Sequence, residues 1–236
     1  YGAVLRVDPA NPADPERDRF VLSKGHAAAA LYVALAQSGF IADAELDTFM
    51  QPLSRLSGHP DRRKIPGVET NTGPLGHGLP VAVGMALAAR LRGSSWRTFV
   101  LCGDGELQEG QIWEAAMFAA GKNVDNLIAT VDLNGQQIDG PTDQVMPLGD
   151  LRAKWVAFGW DVLETNGNDM AQLVNALGQA KTRTGKGKPV MILMRTEMGQ
   201  GVDFMMNSHE WHGIAPNDQQ LKDALGQLEE TLDHPL

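Results

Sequence analysis

Cysteine is nearly absent: Cys102 is the one thiol among 236 residues, which excludes an internal disulfide framework and fits a reducing, cytoplasmic setting. Its place on an apolar run favours a buried, inert thiol over a nucleophile. No apolar stretch approaches the roughly 20 residues that span a bilayer, and the segment from Tyr1 lacks a signal-peptide pattern. Starting on tyrosine, the chain is expected to have lost residues upstream. Repeats and low-complexity tracts are missing, and the 13 prolines and 26 glycines are spread through turns and mark no linker. The expectation is therefore one domain over residues 1–236. Positive charge is scarce, with 20 Lys and Arg against 29 Asp and Glu, a net charge of −9. That balance argues against nucleic acid or an anionic membrane as the main partner and leaves room for a local phosphate pocket.

What is present is a hydrophobic content of 43%, enough for one large α/β core. The chain is organised around residues 101–140, LCGDGELQEGQIWEAAMFAAGKNVDNLIATVDLNGQQIDG. This stretch reads as an apolar strand, an acidic glycine-flanked turn, a helix and a second apolar strand ending on Asn134. Asp104 and Asn134 are thirty residues apart, the length one strand-helix-strand unit needs to bring two strand ends to the same sheet edge. A carboxylate and an amide oxygen suit Mg²⁺ or Ca²⁺, and two side chains leave positions for phosphate oxygens and water. Gly103, Gly105 and Gly110 let the backbone approach a ligand, and a helix starting near Leu107 offers free N–H groups to an anion. The three letters GDG alone read better as an ordinary turn, and Asn134 as an ordinary cap. The spacing, the two strands and the closing NGQQIDG loop favour a metal-bridged diphosphate site at the carboxyl end of a parallel sheet.

A GDG turn followed, after a helix, by a strand ending in Asn resembles the thiamine diphosphate motif, and GDGELQEGQIWEA resembles its transketolase version. The resemblance runs from Asp18-Arg19-Phe20-Val21-Leu22-Ser23-Lys24-Gly25-His26 to His212-Gly213-Ile214-Ala215-Pro216. It implies a three-layer α/β fold with a mostly parallel central sheet flanked by helices. It also implies that Asp104, Asn134 and the main-chain oxygen of Gln136 ligate Mg²⁺, for which Ca²⁺ or Mn²⁺ substitutes. Gly103, Gly105 and Glu106 join the cofactor contacts in that picture.

Along the chain, DPANPADPERDR is a surface loop leading into Phe20-Val21-Leu22. Ser23-Lys24-Gly25-His26 precedes an alanine-rich helix closed by Gly39. His26 fits equally a capping or core histidine and a ligand-facing one at a helix entrance; the resemblance assigns it to the diphosphate and the reacting carbon. Residues 43–50 read as a short helix capped by Asp43. His59 matches the family's Gly-His-Pro histidine, which faces the donor sugar, while Arg62, Arg63 and Lys64 read as a solvated loop. In ETNTGPLGHGL, glycine density lets the main chain contact a ligand. By resemblance Gly73, Pro74 and Leu75 touch the aminopyrimidine and central ring, and His77 stands where single-chain transketolases commonly have glutamine. Glu114 falls at a position associated with the subunit interface. A helix over residues 111–120, a strand over 127–132, a helix over 151–158, a strand over 160–164, a helix over 169–181 and a strand over 189–194 complete the core. Asp132 reads as a support for the Asn134 loop. Residues 196–213 resemble the loop that closes over the diphosphate, with Met198 and Gln200 where two-chain relatives commonly show lysines; His212 matches a family histidine and His209 does not. The last twenty residues read as an amphipathic helix with a frayed end.

The implied activity is transfer of a two-carbon ketol unit from a ketose, by default phosphorylated, to an aldose, with His26, His59 and His212 in hydrogen bonding and proton transfer. In the family, the glutamate that switches the aminopyrimidine lies on a second domain, for which the twenty residues after Pro216 leave no room. The expectation is an N-terminal subunit that works with a separate C-terminal, pyrimidine-binding subunit in a heterotetramer. Two alternatives are a subunit of another thiamine diphosphate enzyme (deoxyxylulose phosphate synthase-like or 2-oxo acid dehydrogenase-like) and a non-catalytic cofactor-binding protein. GPLGHGLP and GDGELQEG favour transketolase over those other enzymes.

Overall fold

The computed structural model describes residues 1–232. Strands β1 (Arg19–Leu22), β2 (Thr98–Gly103), β3 (Leu127–Leu133), β6 (Asp161–Asn166) and β7 (Val190–Arg195) form one five-stranded sheet in the order β1-β2-β3-β7-β6, every pair parallel. A small antiparallel hairpin, β4 (Gln136–Gln137) and β5 (Gly140–Pro141), follows β3. The helices are α1 (Ala28–Gln37), α2 (Gly78–Arg92), α3 (Gly110–Gly121), α4 (Thr142–Val145), α5 (Leu151–Ala157), α6 (Met170–Arg183) and α7 (Asp218–Leu232). No described helix is long and apolar enough to cross a membrane.

The strands carry almost unbroken apolar runs because both faces of the sheet are covered, the usual condition of a parallel sheet. Side chains alternate between the faces. Val100, Cys102, Ala129, Val131 and Leu193 pack with Leu79 and Ala82 of α2, Ile112 and Ala116 of α3 and Trp155 of α5. Phe99, Ile128, Val190 and Ile192 turn the other way, onto Ala176 and Ala180 of α6. Helix α1 builds an adjoining cluster from Leu31, Tyr32 and Leu35 with Leu22, Leu56 and Ile65. Cys102 is buried, and burial pushes its thiol well above the ordinary value, in keeping with an inert core residue.

Three local expectations change. Phe20-Val21-Leu22 belongs to an edge strand, whose entry is fixed by buried Asp18 accepting from the main-chain N–H groups of Arg6 (2.9 Å) and Arg97 (2.8 Å). Residues 43–48 form a 3-10 turn, with Ala42 and not Asp43 at the cap position. Glu45 is drawn back to the Ala42 N–H (3.2 Å) and held by Arg55 at 2.6 and 2.7 Å. Beyond Asp104 the chain makes a 3-10 turn over Gly105–Gln108, and α3 starts at Gly110 rather than near Leu107. The basic triplet behaves as read, exposed, with Arg63 paired to its own neighbour Asp61. The frayed end expected after α7 lies outside the described residues.

Leu53 sits in the left-handed region (φ 67°) with its side chain fully exposed, 105%. An L-residue there costs about 1–2 kcal/mol, against about 0.4–1 kcal/mol for the extra unfolded-chain entropy of glycine. Leu53→Gly should therefore stabilise the chain by about 0.5–1 kcal/mol, read as a higher urea midpoint at unchanged slope.

Candidate functional site

The pairing of β2 with β3 places Gly103 opposite Asp132, and the Asp104 N–H donates to the Asp132 carbonyl at 3.1 Å. Asp104 and the Asn134 loop thus share one sheet edge, as their spacing requires. Asp104 is 1% exposed. Its Oδ1 accepts from the Gly105 N–H (2.8 Å) and its Oδ2 from the Gly135 N–H (2.6 Å). Asn134 Oδ1 accepts from the Gln136 N–H at 2.9 Å, and its Nδ2 donates to Asp132 Oδ2 at 3.3 Å. Burial lifts the Asp104 carboxyl to about 6, against the pull of those two N–H donors. The protonated form is therefore favoured in the fold, and the charged form present at pH 7 is a destabilising element that protonation below about pH 6 relieves. Beside it, Gln136 Oε1 is buried without a hydrogen-bond partner. A desolvated carboxylate with no cation of its own, a neighbouring amide oxygen and an orphaned oxygen are the donor chemistry of Mg²⁺ or Ca²⁺. The residues present fit the expected metal.

Three histidines gather beside this loop. His26 follows β1 in the turn Gly25–Ala27, and a Cβ on Gly25 would overlap Thr72 Oγ1, so only glycine lets these two segments touch. His59 Nδ1 lies 2.8 Å from the same Thr72 hydroxyl. His212 arrives on the 3-10 turn His209–His212, held by Trp211, whose indole N–H donates to the Phe204 carbonyl at 2.9 Å. The rings of His26 and His212 are 5.1 Å apart. Burial, then the charges of Lys24, His212 and His59, push the His26 imidazole down to about 4. His212 is lowered by burial and Lys24. Both rings are neutral at pH 7 and can each offer one acceptor and one donor nitrogen.

Lys24 and Asp132 escaped assignment as an ion pair in the sequence because they lie 108 residues apart. Lys24 Nζ meets Asp132 Oδ2 at 2.5 Å, with both side chains mostly covered. Burial works to raise the Asp132 carboxyl, but Lys24, with the Thr196 hydroxyl and Asn134, holds it below the ordinary value. Asp132 is thus the support of the Asn134 loop that the sequence suggested. Glu106 turns inward: its carboxylate is occupied by the Ser23 hydroxyl and the N–H groups of Gly76 (2.8 Å) and Gly103 (3.0 Å). Gly73, Pro74 and Leu75 form an exposed turn, and nothing stands within 4 Å of a Cβ built on Gly73. His77 Nδ1 lies 2.9 Å from Gln111 Nε2, which also donates to the Leu75 carbonyl at 2.9 Å. Glu114 is exposed on α3. Because α3 starts at Gly110, its free N–H end lies against Gly76 and not beside Asp104: a Gly76 Cβ would come within 2.8 Å of Glu109 Cβ.

Removing Lys24 should act on two observables. Lys24→Met leaves Asp132 with the hydroxyl and amide alone, and about 2–3 kcal/mol of stability should be lost in urea unfolding, less than for a fully buried pair. The His26 titration should rise from about 4 as the nearby positive charge goes, followed by imidazole NMR. Because the unfolded chain protonates His26 near 6.5 and the fold only near 4, the wild-type chain should lose stability as pH falls from 6.5 towards 4 through this residue. An unmoved His26 titration in Lys24→Met would show that Lys24 does not set it.

Residues 1–230 match the family model described as transketolase, thiamine diphosphate binding domain. One subunit of the apulose-4-phosphate transketolase of Phocaeicola vulgatus is 44% identical over 233 residues, covering 99% of this chain and 82% of that relative. The 6-deoxy-6-sulfo-D-fructose transketolase subunit SqwG of Clostridium sp. is 44% identical over 229 residues, 97% and 82% of the respective chains. The solved transketolase of Pichia stipitis in complex with sedoheptulose-7-phosphate superposes with a TM-score of 0.89 at 34% identity, covering 95% of this chain and 35% of that one. Transketolase from Campylobacter jejuni gives 0.89 at 36% identity, covering 95% and 36%. The chain thus spans about a third of the length of these solved enzymes. On the family match and these relatives, the chain belongs to the transketolase family, as a thiamine diphosphate-binding domain.

Proposed function

We propose that this chain is the diphosphate-binding subunit of a two-chain transketolase, which moves a two-carbon ketol unit from a phosphorylated ketose to an aldose. The observation that carries this is the convergence, on one sheet edge, of a buried uncompensated carboxylate at Asp104 with the neutral histidines His26 and His212. Two relatives that match nearly the whole chain are themselves named as transketolase subunits. Asp104, Asn134 and the Gln136 main-chain oxygen would hold Mg²⁺, and Gly103, Gly105 and the main chain at Glu106 would border the diphosphate. Gly73, Pro74 and Leu75 would border the rings. Bound thiamine diphosphate supplies a carbon nucleophile and an electron sink for breaking the ketose C–C bond.

The chain's own contribution is orientation and proton handling. The lowered basicity of His26 and His212 keeps their rings neutral at working pH, so each can accept a proton from a sugar hydroxyl or donate a hydrogen bond to a carbonyl oxygen. His59 is steered by Thr72 towards the open side of the site, where the donor sugar would lie. A separate pyrimidine-binding subunit completes the site, in a heterotetramer, and the lone buried Cys102 fits a cytoplasmic location. Met198 and Gln200 leave less positive charge at the phosphate entrance than the lysines common in two-chain relatives would.

Mixing the chain with its candidate partner, Mg²⁺, thiamine diphosphate and a panel of phosphorylated ketoses should yield ketol transfer. Tight assembly without transfer from any donor would overturn the proposal. By calorimetry, Asp104→Ala should abolish metal-dependent cofactor binding, and unchanged affinity would place the metal elsewhere. Since the metal needs the ionised carboxylate, wild-type affinity at fixed Mg²⁺ should fall about tenfold per unit below pH 6 and stay level above pH 7.

A further inference from the structure

Glu106 is 3% exposed, and every partner of its carboxylate is uncharged. One oxygen accepts from the Ser23 hydroxyl at the end of β1 and from the Gly76 N–H; the other accepts from the Gly103 N–H, the last residue of β2. These donors come from three separate segments, and the close approach leaves no room for other side chains. A Cβ on Gly78 would overlap Ser23 Oγ, and one on Gly76 would fall 2.8 Å from Glu109 Cβ. Two inward-pointing main-chain N–H groups at such a junction need an acceptor, and an unsatisfied one costs about 1–3 kcal/mol. An apolar residue at position 106 would fill the space and leave both donors orphaned.

We propose that Glu106 is a positioning residue that locks the turn carrying Gly73, Pro74 and Leu75 to the turn carrying Gly103 and Asp104. The inference rests on the thiamine diphosphate reading of the site. The first turn would border the ring half of the cofactor and the second its diphosphate half, and the two are far apart in sequence. With Gly76 bound to one carboxylate oxygen and Gly103 to the other, the distance between the two halves is set by one rigid planar group. Loss of the bracket then weakens recognition of the whole cofactor more than recognition of its diphosphate alone.

Glu106→Gln has nearly the same shape and separates these effects. Its carbonyl oxygen can keep the Gly103 N–H and its amide can donate to the Ser23 hydroxyl, but the amide meets the Gly76 N–H donor to donor. Calorimetry on the chain assembled with its candidate partner subunit, with Mg²⁺ and either thiamine diphosphate or inorganic pyrophosphate, should show at least a tenfold loss for the first and less than a threefold loss for the second. Hydrogen exchange at the Gly76 amide should quicken at least tenfold in the same variant. Ser23→Ala removes one donor from the oxygen that holds Gly76 and serves if Glu106→Gln does not fold; it should give the same selectivity at about threefold. Equal losses for both ligands, or unchanged exchange at Gly76, would make Glu106 a general support of the fold and overturn the coupling. Wild-type chain that bound neither ligand would instead overturn the reading of the site, and the coupling with it.

Discussion

The parallel pairing of β2 with β3 is the constraint on which the site depends. Parallel strands need a crossover, and α3 supplies it in the right length to return the chain beside the strand it left. Both strands then end at the same edge, where Asp104, Gly105, Asn134 and Gly135 have no further sheet to join. The main-chain N–H groups of Gly105 and Gly135 turn onto the Asp104 carboxylate, and that of Gln136 onto the Asn134 amide oxygen. The hairpin of β4 and β5 follows directly, and the turn bearing His212 packs on it, so one strand register fixes both the Asn134 loop and the histidine side.

Electrostatics divides this edge into two kinds of carboxylate. Asp132 and Glu106 are settled, one by an ion pair and the other by three uncharged donors. Asp104 is not: burial raises it to about 6 and it has no cation among its hydrogen-bonding partners. A fold selected for stability alone would not keep such a group, because its ionised form is penalised at neutral pH. Lys24 has a double effect, compensating Asp132 while suppressing protonation of His26 and His212. The positive charge stays in the framework, and the imidazoles remain free for hydrogen bonding.

Much of this was legible in the chain itself. The apolar run ahead of Asp104, the thirty-residue spacing to Asn134 and the helical period between them required a strand-helix-strand unit, and the structure contains it. Residues 73–78 announced a turn through glycine density alone. Harder to read were places where a long-range partner overrode a local pattern. The resemblance puts Glu106 among the cofactor contacts, and only the fold shows that Gly76 and Ser23 draw its side chain inward. The helix read over residues 111–120 is present as α3, while the stretch from Leu107 to Gln108 belongs to a 3-10 turn, as do residues 43–48. Arg19–Leu22 was too short and too charged at its start to declare itself a strand without β2 beside it.

By itself the sequence determined the central strand-helix-strand unit, the oxygen-donor residue types at Asp104 and Asn134, and membership of a family. These follow from residue type and spacing, which act over a few turns of chain. Tertiary structure decided which carboxylates are spent on the framework and which one remains uncompensated. It also decided that burial and Lys24 lower the basicity of His26 and His212 and that Gly25, Gly76 and Gly78 stand where separate segments meet. Such outcomes depend on contacts between segments far apart in the chain, and on desolvation that exists only once the sheet edge is closed.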